Sequence, residues 1–179
     1  SLAKWGAENA DNQYLWACLR SDASYLVTGQ RNTAFDFLIE VKEGFMQLGD
    51  DRVFAALKAH EIEVGGDGRF EILVSRERPK GHRGNWLEMH PDTRYLQIRQ
   101  YFADWEKESP ASFRIQQLGN EGRAPLPLTP ARMADLLDDA GEWVEVSARF
   151  WTQWIEQQRA AHDPAELKPA VHVVGGADD

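Results

Sequence analysis

The chain has 179 residues, 42% of them hydrophobic and 11% aromatic with seven Trp, which is enough for a sizeable core and argues against disorder. Its formal charge of −9 disfavours nucleic acid and anionic membrane as partners, since both repel an acidic surface at long range. The one cysteine, Cys18, excludes an internal disulfide and any CxxC motif, and no apolar run is long enough to span a membrane.

Residues 1–13 have no sustained apolar period and read as a lead-in that opens on Ser1 rather than Met. No basic-then-apolar leader follows, so the cytoplasm is the default location. Tyr14 to Leu19 is a continuous apolar run, fit for a strand covered on both sides, with Cys18 as a buried, inert thiol. Tyr25 to Thr28 is a second strand that forms a hairpin with the first and stops at Gly29. Phe35, Phe37, Ile39 and Val41 alternate with less apolar residues and predict a third.

Asp50-Asp51 ahead of Val53, Phe54 and Leu57 predicts a short N-capped helix. Glu61 to Val64, the turn Gly65-Gly66-Asp67-Gly68 and Phe70 to Val74 predict a hairpin, because Asp-Gly between alternating apolar residues suits a tight turn. Residues 76–84 are a basic loop. Two strands follow, joined by a turn at His90-Pro91-Asp92-Thr93. In the second of them Leu96, Ile98 and Phe102 fall near one face, with Tyr95, Gln97, Arg99 and Tyr101 on the other. Phe113 to Leu118 supplies one more strand.

About eight short strands separated by turn signals predict an antiparallel β-sandwich, jelly-roll-like, within a mainly β chain that also contains α. The expected organisation is a sandwich over residues 1–118, a Gly/Pro linker over 119–128, an amphipathic helical segment over 129–162 and a loosely held tail over 163–179. Thr129-Pro130 has the residues of a helix start. From Met133 to Ile155 apolar residues recur at helical spacing. A single helix of that extent is about 50 Å long, so it either bends near Gly141 or projects onto a partner. The Trp143–Trp154 face is then the expected packing surface, against the sandwich or a second copy.

No HExxH, GxSxG, P-loop or dinucleotide GxGxxG is present. His60, His82 and His90 lie on different predicted elements, so no cofactor and no tightly bound transition metal are expected. The candidate ligand-binding residues are Arg99, Tyr101, Asp104, Trp105, Asn85, Trp86 and Tyr95. In one reading Arg99 offers its guanidinium to a carboxylate or phosphate between tyrosine walls. In the other, which the sequence favours, Arg99 pairs with Asp104 to fix the strand end, and Trp105 plugs the sandwich. Asn85 either binds a ligand or holds a loop.

Asp11-Asn12-Gln13-Tyr14, Gly29, Gly66-Asp67-Gly68-Arg69-Phe70, Asn85-Trp86-Leu87 and Arg99-Gln100-Tyr101-Phe102-Ala103-Asp104-Trp105 together resemble, in order and spacing, bacterial proteins called domain of unknown function 1214. The resemblance covers roughly residues 5–160. It implies a β-sandwich with accompanying helices and no settled reaction. Ala10 stands where that family often has Pro, and the chain stops where its members usually continue into further β-structure, as a fragment or short form would. The expected function is a non-catalytic small-molecule-binding or accessory module. The first alternative is a hydrolase or lyase acting on a small carboxylated or aromatic compound, with Arg99 as anion anchor and His90 or Asp104 as acid/base. The second is a structural or oligomerisation domain.

Overall fold

A computed structural model describes residues 9–123 and 127–161. Eight strands, β1 (Asn12–Cys18), β2 (Tyr25–Gln30), β3 (Asp36–Lys42), β4 (Val53–Lys58), β5 (Arg69–Ser75), β6 (Asn85–Glu88), β7 (Tyr95–Tyr101) and β8 (Ser112–Gln117), precede one helix, α1 (Pro130–Ala161). They form two four-stranded sheets, ordered β1-β7-β3-β4 and β6-β5-β2-β8. Alternating residues of both sheets point inward. Phe37, Ile39, Val41, Leu96 and Ile98 of the first sheet meet Val27, Phe70, Ile72, Val74 and Leu87 of the second in one buried core. The chain is therefore a β-sandwich with a C-terminal helix. It is not wholly antiparallel, because β6 runs parallel to β5.

Three predicted local pairings are replaced by long-range ones. β1 and β2 are not a hairpin: β1 joins β7 in the first sheet, while β2 lies between β5 and β8 in the second. The turn ahead of β2 is real, closed by Ala23 N–H to Arg20 C=O, but it carries the chain from one sheet to the other. The turn at residues 90–93 does the same between β6 and β7, with Thr93 N–H donating to His90 C=O. The Gly65–Gly68 turn also forms, yet the segment before it is a 3₁₀ turn at Ala59–Glu61 and extended coil rather than a strand. Asn85 takes the place of a strand partner there: its amide accepts from Glu63 N–H at 2.7 Å and donates to the Glu63 and Glu71 carbonyls at 2.9 Å each.

The helix expected after Asp50-Asp51 is the edge strand β4, antiparallel to β3. Apolar residues at 53, 54 and 57 fit either period in so short a window, and β3 supplies a ladder that decides it. A 3₁₀ turn does occur just earlier, at Met46–Leu48, closed by Gly49 at φ 83°. Cys18 is not buried. It sits exposed at the end of β1, an edge strand covered less than its apolar run suggests.

α1 starts where Thr129 and Pro130 predict: Thr129 Oγ1 accepts from Arg132 N–H at 3.2 Å. It is one helix of 32 residues, about 48 Å long, and it passes through Gly141 unbroken. Residues 130–142 are all exposed. The helix is anchored further along, by Trp143 against Phe45 (ring centroids 6.0 Å apart) and by the fully buried Ser147. The predicted tail at 163–179 lies outside the described residues, as does the start of the lead-in.

Two substitutions test this packing. Gly29 faces Phe70 across the β2–β5 ladder, and a Cβ there would lie 2.5 Å from the Ser112 carbonyl oxygen and closer still to the Phe70 ring. Gly29→Ala should therefore destabilise by about 1–3 kcal/mol or more, read from denaturant midpoints. Among the described residues, Ser147 Oγ is buried with no hydrogen-bond partner. Ser147→Ala removes that orphan and improves helix propensity, so it should stabilise by about 1 kcal/mol in the same measurement.

Candidate functional site

The residues picked from sequence divide over both sheets and both ends of β7. Arg99 and Tyr101 project from the outer face of the first sheet, next to Tyr14 and Asn12 on the paired strand β1, where Tyr14 is opposite Arg99 and Asn12 opposite Tyr101. The half-buried Arg99 guanidinium lies between two phenol rings, 5.1 Å from the Tyr14 centroid and 5.0 Å from that of Tyr101. With its amide oxygen turned toward Arg99, Asn12 accepts from Nη2 at 2.6 Å and from Nε at 3.3 Å. Burial raises the Tyr14 phenol above its ordinary pKa; Arg99 opposes this, while Tyr101 and Glu40 add to it.

The Arg99–Asp104 pair is not made. Asp104 instead binds Lys107 Nζ at 2.6 Å and Glu106 N–H at 3.0 Å, within the turn that follows β7. Those two bonds, the lysine first, hold its carboxyl below the usual range against a smaller opposing effect of burial. Among the described residues no ion pair within 4.0 Å includes Arg99. Strand geometry accounts for this, since Phe102 turns into the core and carries the chain away from the outer face before Asp104 is reached.

Trp105 does not plug the sandwich. It is 47% exposed, stacks on Phe102 at 3.8 Å and donates from Nε1 to Ala10 C=O at 3.2 Å. Tyr95 is four residues from Arg99 along β7, about 13 Å away, in a cluster with Trp16 and Phe45 next to α1. Burial raises its phenol pKa; Cys18 and Asp139 add to the rise and Arg94 opposes it. Asn85 and Trp86 are on the second sheet. Asn85 spends its amide on Glu63 and Glu71, and Trp86 Nε1 donates to Ser75 Oγ at 3.0 Å.

Nor do the acid/base candidates converge. His90 stacks on Phe54 at 4.3 Å, in a cleft of about 400 Å³ that also includes Arg76 and Glu88, before β7 begins. Asp104 lies past the end of β7, a strand of seven residues spanning about 20 Å. A second cleft, about 230 Å³, opens between edge strands β1 and β8 and is lined mainly by apolar side chains such as Leu15, Ile98 and Phe113. Arg99 lines neither. Among the described residues no group of three or more His, Cys, Asp or Glu side chains is placed to hold a metal ion.

Sequence reasoning did not single out Glu108. One carboxylate oxygen accepts from the Ala103 and Asp104 N–H groups at 2.8 Å each, and the other from Phe35 N–H at 2.6 Å. It thereby ties the turn after β7 to the entry of β3. No local pattern marks such a residue; its only signal is a carboxylate four positions after Asp104.

No family model matches the chain, and no curated protein does. Among solved structures, an uncharacterised protein of Burkholderia cenocepacia is similar at 33% identity and a TM-score of 0.76, over 85% of this chain. The matched region is 41% of that protein, so this chain spans well under half of its relative. A protein of Vibrio parahaemolyticus aligns at 15% identity and a TM-score of 0.46, over 65% of this chain and 33% of its own.

Glu108 sets a pH dependence. Burial pushes its carboxyl up, but the N–H groups of Asp104, Ala103 and Phe35 together push it further down, to a net lowered pKa. A lowered folded-state pKa stabilises fully above the ordinary value of 4.5, and that stabilisation is lost as pH falls through the folded value. Glu108→Gln should therefore be less stable than wild type at pH 7, and the gap should narrow as the pH falls below 4.5 and through the lowered folded-state value. Denaturant midpoints at a series of pH values check both the sign and the window.

Proposed function

We propose that the domain is a non-catalytic ligand-binding or accessory module that receives a small carboxylate- or phosphate-bearing compound at Arg99, between Tyr14 and Tyr101. One observation carries this reading: the guanidinium lies 5.1 and 5.0 Å from the ring centres of Tyr14 and Tyr101, takes part in no ion pair among the described residues, and meets the Asn12 amide. Asn12 occupies Nε and Nη2, which leaves donors for an incoming anion. The separation of His90, before β7 begins, from Asp104, past its end, with Arg99 on the strand itself, favours binding over the hydrolase or lyase alternative. With this reading we place the chain among domain of unknown function 1214 proteins, on the ordered residues given above, which include Asn12, Tyr14, Arg99 and Tyr101.

Removing Arg99 tests it. No carboxylate is stranded by the change, so the loss is limited to ring contacts and one amide, about 1–2 kcal/mol. Arg99→Met keeps most of the aliphatic stem. The expected result is a variant within about 2 kcal/mol of wild type that no longer binds a small aromatic acid which the wild type binds by calorimetry. A loss of about 3–5 kcal/mol, with no acid from the panel bound by either protein, would return Arg99 to a structural role.

A further inference from the structure

We propose that α1 pairs antiparallel with α1 of a second copy of this chain, along a seam centred on Val144. This is independent of the Arg99 reading. It also differs from the Trp143–Trp154 face that the sequence offers for self-association, because Trp143, Ser147 and Phe150 are turned toward the helix's own domain and are half or fully buried. Among the described residues, the adjoining side carries Met133, Leu137, Ala140, Val144, Ala148, Trp151 (whose Nε1 is closed off from solvent) and Ile155. At ~100° per residue these fall within about 80° of one another around the helix. All but the half-buried Trp151 are exposed.

Two features select a second copy laid antiparallel. The first is the spacing. From 133 to 155 the steps are four, three, four, four, three and four, the same read in either direction, with Val144 at the middle. A two-fold axis at Val144 therefore sets Met133 against Ile155 and Leu137 against Trp151. The small pair Ala140 and Ala148 meet beside the crossing point, where backbones approach most closely. A self-complementary patch of this kind is what a two-fold interface needs.

The second is charge. Residues 130–145 carry Arg132 against Asp135, Asp138, Asp139, Glu142 and Glu145, a net −4, while residues 146–161 carry Arg149 and Arg159 against Glu156, a net +1. Antiparallel pairing lays the acidic half against the basic one. Parallel pairing would lay acidic against acidic, at a cost in repulsion.

Sedimentation of the full chain from about 1 to 100 µM, a range spanning ordinary association constants, should show a monomer–dimer equilibrium. Val144→Glu places two carboxylates at the axis and should give monomer throughout; since Val144 is 51% exposed, its far-UV circular dichroism should match wild type. Cross-linking fixes the direction. In a Cys18→Ser background under mild oxidation, Val144→Cys should link to itself. Met133→Cys should link only when mixed with Ile155→Cys. A chain that is monomeric at every concentration, a dimer indifferent to Val144→Glu, or Met133→Cys that links to itself would each overturn the proposal. In the monomeric case the stripe is left to another domain or protein.

Discussion

A carboxamide with no solvent exposure, that of Gln100, holds the arrangement of this sandwich in register. Its nitrogen donates to Gln13 Oε1 at 3.0 Å and Ala111 C=O at 3.1 Å, and its oxygen accepts from Ala111 N–H at 2.8 Å. One side chain thus joins β7, β1 and the segment that enters β8, tying one sheet to the other. An apolar residue in its place would leave both polar groups of Ala111 buried and unpaired, which is more costly than losing the bonds themselves. Because strand side chains alternate, an inward Gln100 makes Leu96 and Ile98 inward and Arg99 and Tyr101 outward. A slip of one residue would bury the guanidinium and expose the core.

That constraint fixes what the outer face of the first sheet can be. Reading across β1, β7 and β3, its rows are Asn12, Tyr101 and Asp36; Tyr14, Arg99 and Leu38; Trp16, Gln97 and Glu40; and Cys18, Tyr95 and Lys42. The first two rows carry the guanidinium between its rings. In the last two rows Trp16 and Tyr95 pack at a tilt against Phe45, and Phe45 in turn meets Trp143 of α1. One face of one sheet therefore divides into a polar-aromatic patch and a helix anchor, about 13 Å apart along β7.

Much of the strand content was legible in the sequence because alternation is a local signal. Strand partners were not, since alternation tells which face a residue takes but not which strand lies beside it. The turns at Ser21–Ser24 and His90–Thr93 have the chemistry of hairpin turns, yet both carry the chain between sheets, a difference set by which long-range ladder buries more apolar surface. Asn85 shows the same limit from the other side. Its amide supplies to Glu63 and Glu71 the hydrogen bonds that a strand partner would have supplied, and a single Asn has no sequence signature for that role. At the site, Arg99 and Tyr101 were found from β7 alone. Tyr14 and Asn12 came to them only through the pairing of β1 with β7, across more than eighty residues of chain.

The helix is legible in a different way. Its cap, its length and its apolar stripe all follow from sequence, but the stripe is about 140° wide, more than one surface needs. Periodicity cannot say how such a stripe is shared. The division is made by Phe45, which reaches Trp143 from a loop far away in sequence and so takes the Trp143–Phe150 flank for the sandwich. What remains is the Met133–Ile155 flank, together with a first stretch, residues 130–142, that is exposed throughout. The helix anchor lies on the same sheet face as Arg99, at its Tyr95 end. Ligand binding and self-association would then share a wall of the domain without competing for the same residues.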